Sequence, residues 1–373
     1  MTISQALPDV VKVAAAHASQ VDEDGRFPAE AVEELRGSGL LGLTLPVEVG
    51  GAGAGPEEFV DVVTELASAC GSTAMIYLMH VSAAVTVAAA PPPDQPDLLG
   101  EMAAGRALGT LAFSERGSRS HFWAPVSEAK TDGDLVTVRA DKSWVTSAGH
   151  ADVYVMSACA PSGVPGEVDL YAVPSDTAGV SVAGPWVGLG LRGNDSAPML
   201  VDATIPVGYR LGDPAGGFGL MMQTVLPWFN LGNAAVSLGL ASAAYDAALG
   251  HVGQARLEHL DQALSALPTI RAQIARMGIV LSAQRAYLDL AADRIGTAAE
   301  DAMLYVLGVK ASANDAALQI TESAMRVCGG AAFSKHLPIE RVFRDARAGA
   351  VMAPTADVLY DFYGKAVSGL PLF

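Results

Sequence analysis

Cysteine is scarce in this chain. Cys70, Cys159 and Cys328 are the only thiols among 373 residues. Three are too few for a disulfide framework, and none forms a C-x-x-C pair, so the sequence offers no soft-metal motif. Bases are scarce too: 23 Lys and Arg stand against 40 Asp and Glu, a formal charge of -17. No basic run is present that would build a groove for a polyanion, which argues against nucleic-acid binding. Long apolar runs are interrupted. Residues 74–90 contain His80 and run into three prolines, and residues 214–245 carry Gln223, Thr224, Asn230 and Asn233. Neither is a clean span of about 20 apolar residues, so no membrane role is expected. The opening MTISQALPDVVKV has no basic start, so no signal peptide is expected and the expected location is a reducing cytoplasm. The seven histidines show no ligand cluster, and no metal is expected.

What the chain does have is apolar residue, 51% of the total with only 17% charged. At this size roughly three quarters of the unfolded surface can be buried, enough for one large core or several smaller ones. The period of the apolar positions changes twice. Helical spacing dominates the first hundred residues, as in Val32, Leu35, Leu40 and Leu41 and again in Phe59, Val62, Val63 and Leu66. From Gly109, short runs rich in Val, Thr and Tyr alternate with Gly, Pro and Asp: LGTLAF, LVTVRADKSWVTSA, VYVMSACA, VDLYAVP and GVSVAGP. After Gly219 long alanine- and leucine-rich helical stretches return, to Asp246, from Leu257 to Ala299 and from Asp301 to Val327. The expected class is α+β, with an N-terminal helical domain (1–108), a middle β-domain (109–213) and a C-terminal helical bundle (214–373). No P-loop and no G-x-G-x-x-G after a strand is found, which argues against nucleotide-binding α/β folds.

Three segments could carry chemistry. SERGSRSH (114–121) follows a strand-like run, where small residues and glycine can present backbone N–H groups to an anion; an ordinary polar turn explains it equally well. In KSWVTSAG (142–149) a tryptophan near a threonine can stack on a planar cofactor while the hydroxyl meets its polar edge, although a core tryptophan is the commoner case. In residues 325–349 a long helix ends at Cys328 before Gly329-Gly330, which permits close approach, and Arg341, Arg344, Asp345 and Arg347 form a charged patch.

In their order, these segments resemble the acyl-CoA dehydrogenase superfamily over nearly the whole chain. FPAEAVEELRGSGLLGLTLPVEVGGAG, LLGEMAAGRALGTLAFSERGS, DKSWVTSAGHADVYV, LGLRGNDSAPMLVDATIPVGYRLG and CGGAAFSKHLPIERVFRDARAG carry the resemblance. It implies a helical domain, a β-barrel-like middle domain and a four-helix bundle. It further implies FAD at a subunit interface of a homotetramer or homodimer. The implied cofactor residues are Phe113 and Ser114 along the flavin, Trp144 and Thr146 at its ring, and Ser120 near cofactor and CoA. Gly329, Gly330 and Arg326 would approach the adenine-diphosphate part from a neighbouring subunit. The flavin would carry the redox chemistry and the protein the geometry.

The departures from the family pattern are equally specific. Most members place a base glutamate in a Tyr-Glu-Gly-Thr context; here the text is Met352-Ala353-Pro354-Thr355. Other members place it on the first long bundle helix, where this chain has Phe229, followed by Asn230 in place of a common arginine. A glutamine common three residues before the glycine pair is Arg326, and the Arg-x-x-Phe-Gly segment is not recognisable near Arg256. Several readings follow. Another group could serve as base, with Asp357, Glu115 and His121 as candidates. The protein could be a flavin-dependent monooxygenase or oxidase of the same superfamily, for which a dry pocket around Ala353, Met352 and Phe229 is suitable. It could be a non-catalytic partner subunit of a hetero-oligomer, or a flavin-free descendant of the fold. The substrate would be an acyl thioester or a small organic compound, with Arg119, Arg192 and Arg347 as candidate contacts for an anionic CoA.

Overall fold

A computed structural model describes residues 3–119 and 121–373. The N-terminal part is helical: α1 (Ile3–Asp24), α2 (Ala29–Ser38), α3 (Pro56–Ala69), α4 (Gly71–Ala89) and α5 (Leu98–Ala103). Helix α3 begins where a proline can begin one. Pro56 occupies its first turn, and the Gly55 N–H donates to Glu58 Oε2 at 3.0 Å. Helix α4 is apolar on all sides, and a window of it long enough to cross a membrane is 89% buried inside the protein. It runs antiparallel to α7 (Leu226–Gln254): Gly71 lies beside Leu240 and Gly232 beside Leu78. A Cβ at Gly232 would stand 2.2 Å from Leu78 Cδ1, so the absence of a side chain there lets the two helices close on each other.

The middle part contains two sheets. β1 (Gly109–Ala112), β4 (Val153–Cys159) and β5 (Val168–Pro174) form one, with β1 parallel to β4. β2 (Glu128–Asp132), β3 (Leu135–Val145), β7 (Ala197–Pro206) and β6 (Val180–Val182) form the other, antiparallel throughout. Inward residues of both, among them Val136, Val138, Tyr154, Met156, Met199 and Val201, share one apolar core. The β-part expected to be barrel-like is thus built as two packed sheets. β2 and β7 extend the strand set read from sequence.

A short helix α6 (Gly217–Leu220) and a π-turn at Met221–Val225 lead into the C-terminal bundle. Its long helices are α7, α8 (Pro268–Gly296) and α9 (Ala302–Cys328), followed by α10 (Gly330–Phe333), α11 (Ile339–Asp345), α12 (Arg347–Val351) and α13 (Ala356–Val367). The helix expected from Leu257 starts only at Pro268. Before it lies a small hairpin, β8 (Arg256–Leu257) with β9 (Gln262–Ala263), turned by Asp261 at φ 48°. The bundle and the N-terminal helices share one continuous core.

His80 joins the helical part to the first sheet. Fully buried on α4, its Nδ1 accepts from the Gly109 N–H at 3.0 Å, so its Nε2 carries the proton and donates to Leu41 O at 3.0 Å. Burial lowers its pKa to about 4. Between an ordinary value near 6.5 and this one, the unfolded chain binds the proton and the folded chain does not. This contribution to stability is therefore complete above about pH 6.5 and declines as pH falls towards 4, by about 1.4 kcal/mol per unit. Urea melts of wild type and His80→Gln across that window are expected to differ in slope by about one proton; equal slopes would refute the assignment.

Candidate functional site

The β1 exit and the β3 bulge stand side by side. The Ser143 N–H donates to Ser114 O at 2.9 Å, and Thr110 Oγ1 donates to Thr146 O at 2.8 Å. The register of β3 against β7 shifts between Lys142 and Val145. In that bulge Trp144 takes φ 59°, an unusual conformation for a bulky residue, and the residue is 63% exposed. It is supported edge-on by Trp186, 5.7 Å away. The strain displays an aromatic face rather than hiding it, and the core-tryptophan reading of Trp144 is set aside. Phe113 is buried and stacks on Phe122 at 6.2 Å. Ser114 is half-buried beside the bulge. Thr146 differs from expectation: it is buried, and its hydroxyl is engaged with Ser196 Oγ at 3.0 Å, so it braces the bulge instead of offering a free hydroxyl. Ser120 lies outside the described residues.

Of the three candidate bases, Glu115 is accounted for structurally. Its carboxylate is buried, with Oε1 2.6 Å from Lys142 Nζ, and its Oε2 accepts from the Val126 and Ser127 N–H groups at 2.6 and 2.9 Å. Lys142 also donates to Ser157 O at 2.6 Å, and burial draws its pKa down from the usual lysine range. This closed ion pair fastens the 114–127 loop to β3 and leaves no carboxylate oxygen free to take a substrate proton. His121 is exposed and lies tilted against Trp123 at 5.1 Å. Asp357 is exposed in the first turn of α13, where the helix dipole favours an acid.

The segments that carry the two positions flagged as lacking a carboxylate touch at one contact. Phe229 is half-buried at the start of α7; one turn later, Asn233 Nδ2 approaches Met352 Sδ at 3.4 Å. Ala353 is half-buried between Met352 and the buried Pro354. The following helix α13 reaches back to the β-part, where Phe362 packs against Trp123 at 5.6 Å. An aromatic chain of Phe113, Phe122, Trp123 and Phe362 thus links the β1 exit to the helix that follows Ala353.

Arg326, Gly329 and Gly330 stand apart from that locus. Lys310 near the start of α9 touches the 349–354 segment, and Arg326 follows 16 residues later, about 24 Å along the helix axis. Arg326 lines a cavity of about 360 Å³ between α8 and α9 with Arg276, Gln273, Gln319 and Ser323. Gly329 adopts φ 53° and ψ -129°, and open space surrounds both glycines where a Cβ would be. Of the proposed CoA contacts, Arg347 is tied up: its guanidinium lies over the Phe343 ring at 3.2 Å and donates to Phe343 O and Thr321 Oγ1. Arg119 is exposed at φ 51° and Arg192 is half-buried. No cluster of three metal-ligating side chains occurs among the described residues.

These residues fit a planar dinucleotide cofactor in two respects. Trp144 presents an exposed ring face beside Ser114, and the Gly329-Gly330 backbone lies open to close approach. Sequence reasoning missed Lys310 and the Lys142–Glu115 pair. A lysine among apolar helix positions (VLGVKASA) was the available signal for the first.

Comparison with known proteins agrees along the whole chain. Residues 6–106 match the acyl-CoA dehydrogenase N-terminal domain, 110–204 the middle domain and 215–368 the C-terminal domain. A probable acyl-CoA dehydrogenase, YngJ, of Bacillus subtilis is 28% identical over 359 residues, covering 93% of this chain and 92% of its own. The human mitochondrial short-chain specific acyl-CoA dehydrogenase is 28% identical over 345 residues, covering 91% of this chain and 83% of its own. Butyryl-CoA dehydrogenase from Megasphaera elsdenii has the same fold, with a TM-score of 0.90 at 22% identity over 99% of each chain. With three consecutive domains matched in order over a fold of this architecture, the chain belongs to the acyl-CoA dehydrogenase superfamily.

Proposed function

We propose that this protein is an FAD-dependent oxidoreductase of the acyl-thioester class whose site lacks the family's base glutamate. The observation that carries this reading is that Ala353 and Phe229, the two positions at which the family places the base, are both apolar, on segments joined by the Asn233–Met352 contact. FAD would supply the two-electron chemistry. Trp144 would hold the ring face, Ser114 would line its edge, and Phe113 would back that edge from the core. Gly329, Gly330 and Arg326 would meet the adenine-diphosphate part of a cofactor bound chiefly by another copy, within a homo-oligomer.

The chain's own residues then do three things. The Trp144 bulge orients the cofactor, the Lys142–Glu115 pair fixes the strand exit beside it, and Met352, Ala353 and Phe229 keep the reacting region apolar. Proton removal from substrate by residue 353 or 229 is not part of this chemistry. A second reading has its own support in that apolar surround: a site without a carboxylate at either position suits an oxidase or monooxygenase, in which oxygen is the co-substrate and water must be kept out.

Anaerobic titration of the FAD-loaded protein decides. Bleaching of the flavin by an acyl-CoA establishes dehydrogenation without residue 353 or 229 as base. Reduction only by an external reductant, followed by oxygen uptake with a small substrate, establishes the second reading. A protein that takes up no FAD refutes both. Trp144→Ala is expected to weaken FAD binding about tenfold, since an exposed aromatic face is lost without a core cavity being created; an unchanged Kd by flavin fluorescence would remove Trp144 from the site.

A further inference from the structure

Lys310 is among the largest fully buried side chains of the protein, yet its charge pairs with no carboxylate among the described residues. Its Nζ donates instead to Gly349 O at 2.9 Å, Met352 O at 3.1 Å and Pro354 O at 2.9 Å. Three carbonyl acceptors use all three N–H bonds of an ammonium. A neutral amine has only two, and its lone pair would face a carbonyl oxygen. The geometry therefore favours the charged form. Burial pulls its pKa down to about 7.

The position of these carbonyls gives the contact its meaning. Two of them, on Met352 and Pro354, flank residue 353. Gly349, at the other end of the segment, is seated against α7 and α9, where a Cβ would stand 2.5 Å from the Asn314 amide and 2.9 Å from Ser237 Oγ. Met352 points inward to Asn233, and Pro354 is buried. The carbonyls on both sides of residue 353 are thus held by Lys310, and Met352 and Ala353 are both half-buried.

We propose that Lys310 is the positioning residue of the site: its ammonium draws the 349–354 backbone onto α9 and thereby sets where the side chain of residue 353 is presented. The proposal rests on the placement of the functional site at Ala353, and its test separates the two. Full-length, FAD-loaded Lys310→Met is compared with wild type by hydrogen exchange and by the visible spectrum of the bound flavin. Exchange in residues 349–355 is expected to rise at least tenfold while α8 and the C-terminal half of α7 stay unchanged, and the flavin bands are expected to shift as the segment moves. Lys310→Gln, which keeps two donors, is expected to fall between the two in both readouts.

Unchanged exchange in 349–355 would overturn the proposal, as would a rise spread over the whole bundle, which would make Lys310 an ordinary core residue. Local loosening with an unshifted flavin spectrum would uphold the clamp and refute the placement of the site at residue 353. Should both variants fail to fold, wild-type protein labelled with 15N-lysine decides. One slowly exchanging ammonium signal is expected at pH 5.5, well below the Lys310 pKa of about 7, and its absence would overturn the proposal.

Discussion

Ala353→Glu is expected to raise the anaerobic rate at which an acyl-CoA bleaches the bound flavin by about 100-fold or more, the usual scale for a positioned general base. The expectation is structural. Residue 353 is half-buried between Met352 and Pro354, whose carbonyls are held by Lys310, so a carboxylate there stands on an anchored backbone. The Lys310 ammonium lies behind the carbonyls on either side, and a positive charge at that range favours an ionised glutamate. Phe229→Glu makes the comparison. Phe229 is a large side chain packed against the main apolar core at the start of α7, so replacing it also removes that packing, and the gain should be much smaller. Stopped-flow absorbance measures both. An unchanged rate in Ala353→Glu, with FAD still bound, would mean that residue 353 does not face the substrate.

Glu115→Ala is expected to destabilise the protein by about 3–5 kcal/mol, because it leaves the Lys142 ammonium buried without its partner. The Val126 and Ser127 N–H groups lose their acceptor in the same step. Replacing both charges, with Glu115→Leu and Lys142→Met together, removes the unpaired charge and should recover a large part of the loss. Urea unfolding followed by circular dichroism gives the comparison. A single variant as stable as wild type would show that the pair is not holding the loop. Because Glu115 follows Ser114 and Lys142 lies two residues before Trp144, the single variant should also release FAD more readily. The double variant should retain it if the strand exit keeps its shape.

Much of this was legible before the structure. The two changes of apolar period located the helical, β and bundle parts, because burial of one face imposes a 3.6-residue or two-residue repeat. Other features were not. β2 (Glu128–Asp132) is largely exposed and carries little apolar signal, so its pairing with β3 is a tertiary fact. β7 alternates cleanly, buried and exposed, over its ten residues, and that pattern was there to be read. The late start of α8 turns on Asp261 in a left-handed conformation and on Pro268, local features that a window average hides.

The candidate site divides in the same way. Which residues stand at positions 353, 229, 144 and 326 is a matter of sequence, and so is the absence of glutamate from the first two. That Trp144 is displayed, that the Thr146 hydroxyl is spent on Ser196, and that Glu115 is locked to Lys142 follow from which strands are neighbours. That a buried lysine holds the segment around Ala353 follows from the packing of α9 under that segment. Residue type determines what a side chain can donate, accept or stack upon. Only tertiary packing decides which partner it meets, because these partners are 15 to 50 residues apart in the chain and are joined by burial of the surfaces between them.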